Sequence, residues 1–476
     1  MRNKKYSNRW MLLLCISLFA FGSCNDWLDV KPKSQMKDSE LFSSESGFKE
    51  ALSGVYSIMS REYLYSKQLT FGMLGAMGQE WTFRSNVYDQ IANYTYSDDN
   101  ATKRIDSVWN GMYNAVANTN KLLAEIDGQR SLFSGVNYEV IKGEALALRA
   151  FLHFDLLRLF GASYADNPDK IAIPYVTRYS VSVYPQLKVS AVIDSVLTDL
   201  RTAASYLERD PIYTGQAITS AEDNGYLMNR QVHLNYYAVK GLMARVYLYK
   251  KDYANARTCA QEVINSNKFP WVEQANLLTS DLADLTFASE HLFALNVVRL
   301  STIVENNFTR TAGNNSFYIN SARRLEYYGD ATDWRFLYQF EVDVNGTSIY
   351  LRKYHQLTNS NWDPYYRNKM PMIKLSEMYL ILSECNFYSG GDALAPLNTL
   401  HAHRGIGAVT TAPADYPRWM VSAYRNEFIG EGQLFYYYKR ILSGRIEYYS
   451  EDLSSKAYIL PMPVSEFDTP NRVNNR

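Results

Sequence analysis

Residues 142–161, KGEALALRAFLHFDLLRLFG, are apolar on almost every side of a helical wheel. A helix of that kind cannot rest on a surface; it needs neighbours on several flanks. Gly161 supplies its stop signal. The chain therefore has to wrap other elements around this one, and the surrounding sequence offers helices to do it.

In SVWNGMYNAVANTNKLLAEID, the residues Trp109, Met112, Tyr113, Val116, Asn120 and Leu123 recur at helical spacing and form one packed stripe. Residues 193–208 add another amphipathic helix. Residues 234–266 read as a helical hairpin, two periodic segments flanking KKDY, with Gly241, Ala244 and Ala256 where helices approach closely. Residues 374–404 repeat that pattern around SGGD. Such hairpins follow the logic of a tetratricopeptide unit, which buries its apolar face only by stacking on a neighbour. The fold class expected is mostly α: a tetratricopeptide-like helical-hairpin scaffold with long irregular loops and few short strands carrying the ligand site.

Three stretches break the pattern. Residues 79–100, QEWTFRSNVYDQIANYTYSDDN, are polar and aromatic without helical period, and residues 299–335 and 354–371 resemble them. Long irregular segments in a compact protein are functional or disordered. Disordered segments are poor in aromatics, so these are expected to be ordered loops that carry a surface site. Tyrosine is in excess across the chain, 39 against 21 phenylalanines. Each extra hydroxyl must reach water or a polar partner, which inter-helix packing or a sugar- or peptide-stacking surface would both provide.

The N-terminus reads as a leader. Arg2, Lys4, Lys5 and Arg9 precede a run of about a dozen apolar residues from Trp10 to Phe21, too short to span a bilayer, which needs ~20. Gly22 and Ser23 then lead into Cys24, as at a bacterial lipoprotein cleavage site, with Phe21 where leucine is usual. The expectation is a signal peptide over 1–23 and lipidation of Cys24, against plain secretion with an incidental cysteine. Several acyl chains would anchor the protein durably where one would not. Without residues 1–23 the chain lies four charges to the acidic side, since the whole chain balances 49 Lys+Arg against 49 Asp+Glu. No basic stripe is visible, which argues against nucleic acid. The membrane is expected to be met through the anchor only.

Catalytic or metal chemistry has no recognisable constellation. No HExxH occurs; His401 and His403 stand two apart and read as helix-end packing, and His153 as a hydrogen-bonded core histidine. Cys259 and Cys385 read as small core residues. GIG at 405–407 follows a helix with no preceding strand, so it reads as a C-terminal turn. A glycosidase needs only two carboxylates at suitable separation, which spacing alone leaves open. The expectation is a binding protein without cofactor or metal, not an enzyme.

Binding asks for rings to stack on sugar C–H faces and for bidentate polar groups to meet hydroxyls. Glu80, Trp81, Arg84 and Tyr88 offer that mixture in the first loop, Phe308, Asn315 and Tyr318 in the second, and Trp362, Tyr365 and Tyr366 in the third.

VWNGMYNAVANTNKLL, KGEALALRAFLHFDLLRLFG, KLSEMYLILSECNFYSG with LNTLHAHRG, RNEFIGEGQLFYYYKR and YILPMPVSEF occur in the order found in SusD/RagB-like proteins, which the chain resembles over nearly its whole length. Gln433 stands where that family has arginine, and Cys385 where alanine is common. The resemblance implies an outer-membrane, surface-exposed lipoprotein that sits over a SusC-like TonB-dependent transporter. It implies capture of glycans, or of peptides in the RagB branch, and Asp26 and Asp29 resemble a surface-export signal. One domain over 24–476 is expected, with its scaffold mainly in 40–265 and 370–405 and its loop-rich parts at 270–370 and 405–476. A scaffold binding only protein is the reading from another class.

Overall fold

The computed structural model describes residues 38–83, 87–278, 283–355 and 366–476. The leader 1–23, Cys24, Asp26 and Asp29 lie outside them, as do Arg84, Trp362 and Tyr365. Helices of eight residues or more are α1 (Glu45–Met59), α2 (Asp99–Ile126), α3 (Asn137–Phe160), α4 (Val189–Leu207), α5 (Tyr236–Tyr249), α6 (Tyr253–Asn265), α7 (Ser321–Tyr328), α8 (Leu375–Tyr388), α9 (Leu394–Ala402), α10 (Tyr416–Phe428) and α11 (Gln433–Arg440). Six of these starts are capped by side chains: Ser44, Asp98, Asn235, Asp252, Asn320 and Asp415 each accept a hydrogen bond from a first-turn N–H.

Helix α3 is the buried helix that the sequence requires. Along its length only Glu139 and Lys142 are not buried, and it packs against α2 and α4. Neighbours then run in one series, α1 on α2, α2 on α3, α3 on α4, α4 on α5, α5 on α6, α6 on α8 and α8 on α9. The two hairpins, far apart in sequence, thus stack directly through α6 and α8. This is a tetratricopeptide-like helical scaffold, mostly α.

Four two-stranded antiparallel sheets complete the described residues: β1 (Thr82–Phe83) with β5 (Phe317–Tyr318), β2 (Ile171–Pro174) with β3 (Gln186–Lys188), β4 (His291–Asn296) with β8 (Lys369–Lys374), and β6 (Phe340–Val342) with β7 (Ile349–Leu351). Gly241 is small for the sake of one of these. A Cβ there would come within 2.8 Å of Leu292 in β4, 3.1 Å of Ile373 in β8 and 3.5 Å of Met378 in α8, so the closest approach is to a strand pair with a helix beside it.

The tyrosine excess is explained largely inside the stack. The hydroxyls of Tyr56, Tyr65 and Tyr424 donate to Glu144, Asp155 and Glu384 at 2.8, 2.9 and 2.6 Å, and those of Tyr113 and Tyr437 donate to backbone carbonyls of Pro174 and Pro417. Rings fill volume while the hydroxyls satisfy carboxylates that helix packing has removed from water. Arg149 to Asp199 (α3 to α4) and Arg245 to Glu377 (α5 to α8) join neighbouring helices by two-pronged pairs at 2.6–2.7 Å. Gln433 accepts from Arg158 Nη1 at 3.1 Å; an arginine at 433 would oppose that guanidinium. Cys259 and Cys385 are buried free thiols.

His153 is a core histidine with both ring nitrogens engaged. Nδ1 lies 2.8 Å from the Arg149 carbonyl, and Nε2 accepts the Val176 N–H at 2.9 Å. Burial pushes its pKa down to about 4. The unfolded chain takes up this proton near 6.5, so between there and about 4 the unfolded state binds more protons. Stability attributable to His153 is then lost as pH falls through that window. Guanidinium midpoints should drop from pH 7.5 to 4.5, and His153→Gln should flatten part of that drop.

Candidate functional site

Beneath the loops lies a buried set of charges. Arg404 reaches Glu290 (2.6 and 2.9 Å) and Glu427 (2.9 and 3.0 Å). Arg335 reaches Asp333 (2.6 and 3.0 Å) and Glu427 (2.9 Å). Lys374 reaches Glu431 (2.8 Å) and Glu427 (3.2 Å), and Lys353 pairs with Glu431. Four cations therefore meet four anions. Burial alone would raise the Glu427 carboxyl, but Arg404, Lys374 and Arg335 outweigh it and hold it well below the ordinary range. Glu80 adjoins this set and accepts from the Gly430 N–H at 3.0 Å. Burial pushes its pKa up to about 8, so at neutral pH it is an uncharged carboxyl and the balance holds.

The FIGEG turn between α10 and α11 requires its glycines. Gly430 and Gly432 adopt φ of +77° and +73°, and a Cβ on Gly432 would meet the Leu69 carbonyl oxygen at 2.7 Å. DWRF is structural, as the family resemblance implies: Asp333 and Arg335 join the ion set, and Trp334 presses on Gly405. Gly405, at φ +73°, forms the turn after α9. His403 stacks on Trp271 with centroids 4.5 Å apart, and His401 contacts the Gly407 carbonyl, which is helix-end packing.

On this base the first two aromatic loops meet. Thr82 pairs with Tyr318 and Phe83 with Phe317. Trp81 stands edge-on to Phe308 (5.4 Å) and Phe317 (6.3 Å), and its Nε1 donates to the Phe71 carbonyl at 2.9 Å. Tyr88 stands edge-on to Phe317 at 5.2 Å and lies under the Arg104 guanidinium. Glu80, Trp81, Tyr88, Phe308 and Tyr366 are all buried, Trp81 to 3% exposure, so they lie beneath the surface of these loops. The reason is physical: loops laid over a helical scaffold gain most by burying their largest rings, and Trp81, Tyr88 and Phe308 join the main hydrophobic core. Asn315 lies in the turn Arg310–Asn315, its side chain outside the described residues.

Of the candidates among the described residues, Tyr318 is the one that is not fully buried, directly opposite Thr82. Arg323, on α7, donates to Thr82 Oγ1 at 3.4 Å and lays its guanidinium 4.0 Å over the ring of Tyr448. Tyr448 remains 43% exposed, and its hydroxyl donates to Glu326 at 2.8 Å. Tyr449 meets Tyr94 edge-on at 5.1 Å. Gln79, Tyr94 and Tyr448 hold φ of +57°, +56° and +66°, a region costly for bulky residues that the surroundings must enforce. The platform of Thr82, Tyr318, Arg323, Glu326 and Tyr448 thus combines an exposed ring with a guanidinium, a carboxylate and hydroxyls. Sequence reading missed Arg323, Glu326 and Tyr448, although the YY doublet after RIE in an otherwise polar turn was an available signal.

Residues 26–248 match the SusD-like family model described as starch-binding associating with outer membrane, and residues 305–473 match the model described as SusD family. SusD-like protein P38 of Formosa agariphila is 23% identical over 273 residues, 56% of this chain and 47% of that one. The matches span about half the length, or less, of such curated relatives. Among solved structures, a laminarin binding SusD-like protein superposes with a TM-score of 0.65 at 20% identity, over 91% of this chain and 99% of the other. Surface glycan-binding protein A from Bacteroides uniformis gives 0.70 at 17%, over 91% and 99%. These likenesses share the fold. With both halves of the sequence matched and the helical stack in place, the chain belongs to the SusD/RagB family.

Proposed function

We propose that this protein is a cell-surface lipoprotein, anchored in the outer membrane through Cys24, that captures oligosaccharide and passes it to a SusC-like TonB-dependent transporter. The observation that carries the reading is the platform around Tyr448. Sugar C–H faces pack on tyrosine, and neighbouring sugar hydroxyls can accept from Arg323 and donate to Glu326. An extended peptide would instead need main-chain pairing along a strand edge, and β1 and β5, at two residues each, offer little of it. Support for the class of ligand comes from the family description as starch-binding and from the laminarin-binding and glycan-binding names of structures sharing the fold. The cationic leader and the GSC boundary support the anchor; no helix among the described residues is long and apolar enough to cross a membrane. The position over a transporter follows family resemblance, and copurification with a coexpressed barrel tests it.

Calorimetry with a panel of glycans and a mixed peptide digest tests the capture site. Tyr448→Ala and Arg323→Ala should each weaken glycan binding by roughly tenfold, the equivalent of about 1.4 kcal/mol, with an unchanged melting temperature. Peptide binding alone would move the protein to the RagB-like branch.

A further inference from the structure

A second concavity lies on the helical scaffold and shares no residue with the platform. It is an open groove of about 670 Å³ along the α5–α6 hairpin, within the 300–1,000 Å³ range of small-molecule sites. One wall is a stripe of α6 side chains, Thr258, Gln261, Glu262 and Asn265, brought to one side by helical spacing. At 1.5 Å per residue this stripe is roughly 10 Å long, enough for a short run of sugar rings. The other wall is Tyr213 with Tyr237.

Tyr213 is 42% exposed yet firmly placed. It rides on the short helix Pro211–Thr214, whose cap Asp210 is fully buried and gripped by Arg230 at 2.9–3.2 Å. Arg230 is held in turn by Glu144 at 2.6 Å, and the Tyr213 ring rests on Tyr236 with centroids 4.1 Å apart. The polar wall is ordered as well. Glu262 accepts from the Tyr236 hydroxyl at 2.6 Å and pairs with Lys240 at 3.0 Å, while Gln261 Nε2 donates to Asn265 Oδ1 at 2.8 Å. Such preorganisation lowers the ordering cost of binding.

The chemistry of the walls selects the ligand. The α6 backbone is already paired within the helix, so it offers nothing to an extended peptide main chain. Arg257 also lines the groove, its Nη2 donating to the Cys385 carbonyl at 3.2 Å, while Lys240 offsets the charge of Glu262. The walls thus set an aromatic face opposite amides, a hydroxyl and one guanidinium, groups that complement sugar rings and their hydroxyls. We propose that this groove is a second binding site, for an oligosaccharide, separate from the platform. Its ligand class rests on the groove's own side chains, so it stands or falls apart from the platform reading.

The test is calorimetry on the purified full chain with malto-, laminari-, cello-, xylo- and mannohexaose. In an Arg323→Ala, Tyr448→Ala background, at least one hexasaccharide should still bind. Tyr213→Ala, or Gln261→Ala with Asn265→Ala, should weaken that binding by roughly tenfold. Thr258→Trp, an exposed substitution that fills the groove, serves the same purpose if Tyr213→Ala fails to fold. Binding to the wild type that vanishes in the platform variant and is untouched by Tyr213→Ala and Thr258→Trp would overturn the groove and leave the platform standing. Binding insensitive to the platform changes but lost with Tyr213 would overturn the platform alone. Absence of binding by every hexasaccharide would overturn the groove proposal.

Discussion

Glu427→Ala should lower unfolding free energy by about 3–5 kcal/mol, the cost of leaving buried charge without its partner. Glu427 is fully buried and serves three cations at once: Arg404, Arg335 and Lys374. Its removal takes one carboxylate partner from each of the three in a region that water does not reach. Arg404 would keep Glu290, and Lys374 would keep Glu431, so part of the arrangement survives, yet net charge of +1 remains in the interior. Glu427→Gln, which keeps the shape and loses the charge, should also destabilise. A compensated pair, Arg404→Met with Glu427→Leu, should recover part of the loss relative to Arg404→Met alone, because such pairs are not additive. Chemical denaturation midpoints check each variant; a Glu427→Ala protein as stable as wild type would mean that the charges are solvated.

Trp81→Ala is the second large effect, and it separates a supporting ring from a binding ring. The indole is 3% exposed, packs on Phe308 and Phe317, and donates to the Phe71 carbonyl. Truncating such a residue costs about 3–5 kcal/mol through lost burial and the cavity left behind. Gly75 already leaves no slack: a Cβ there would sit 2.5 Å from Trp81 Nε1. Trp81→Phe should cost less, keeping much of the volume while losing the hydrogen bond. Near-ultraviolet circular dichroism and denaturation report the change. A Trp81→Ala protein with unaltered stability and abolished glycan binding would contradict the supporting role.

The scaffold was legible because its signals are local. An all-apolar helix and two periodic hairpins each reveal themselves within a few turns, and α3, α5–α6 and α8–α9 appear where those signals put them. The ion set was not legible, because its partners are distant in sequence: Glu290 and Arg404 are 114 residues apart, and Arg335 and Glu427 are 92 apart. Charged residues in isolation read as solvated. The orientation of the candidate side chains was not legible for a related reason. Composition placed aromatic rings in the loops and could not say which faced in. Trp81 and Phe308, the most apolar, went to the core, while Tyr318 stayed half-buried beside Thr82 and Arg323, a residue that sequence spacing alone did not connect to it. Tyr448 comes from the far C-terminal part, more than a hundred residues from α7, and reaches the platform only through the fold.

The most direct measurement is a crystal structure of the protein with the hexasaccharide that binds best. The account predicts sugar rings packed against Tyr448 with hydroxyls bonded to Arg323 and Glu326, and Trp81 unmoved beneath them. Sugar held only elsewhere, with the Tyr448 platform bare, would contradict it.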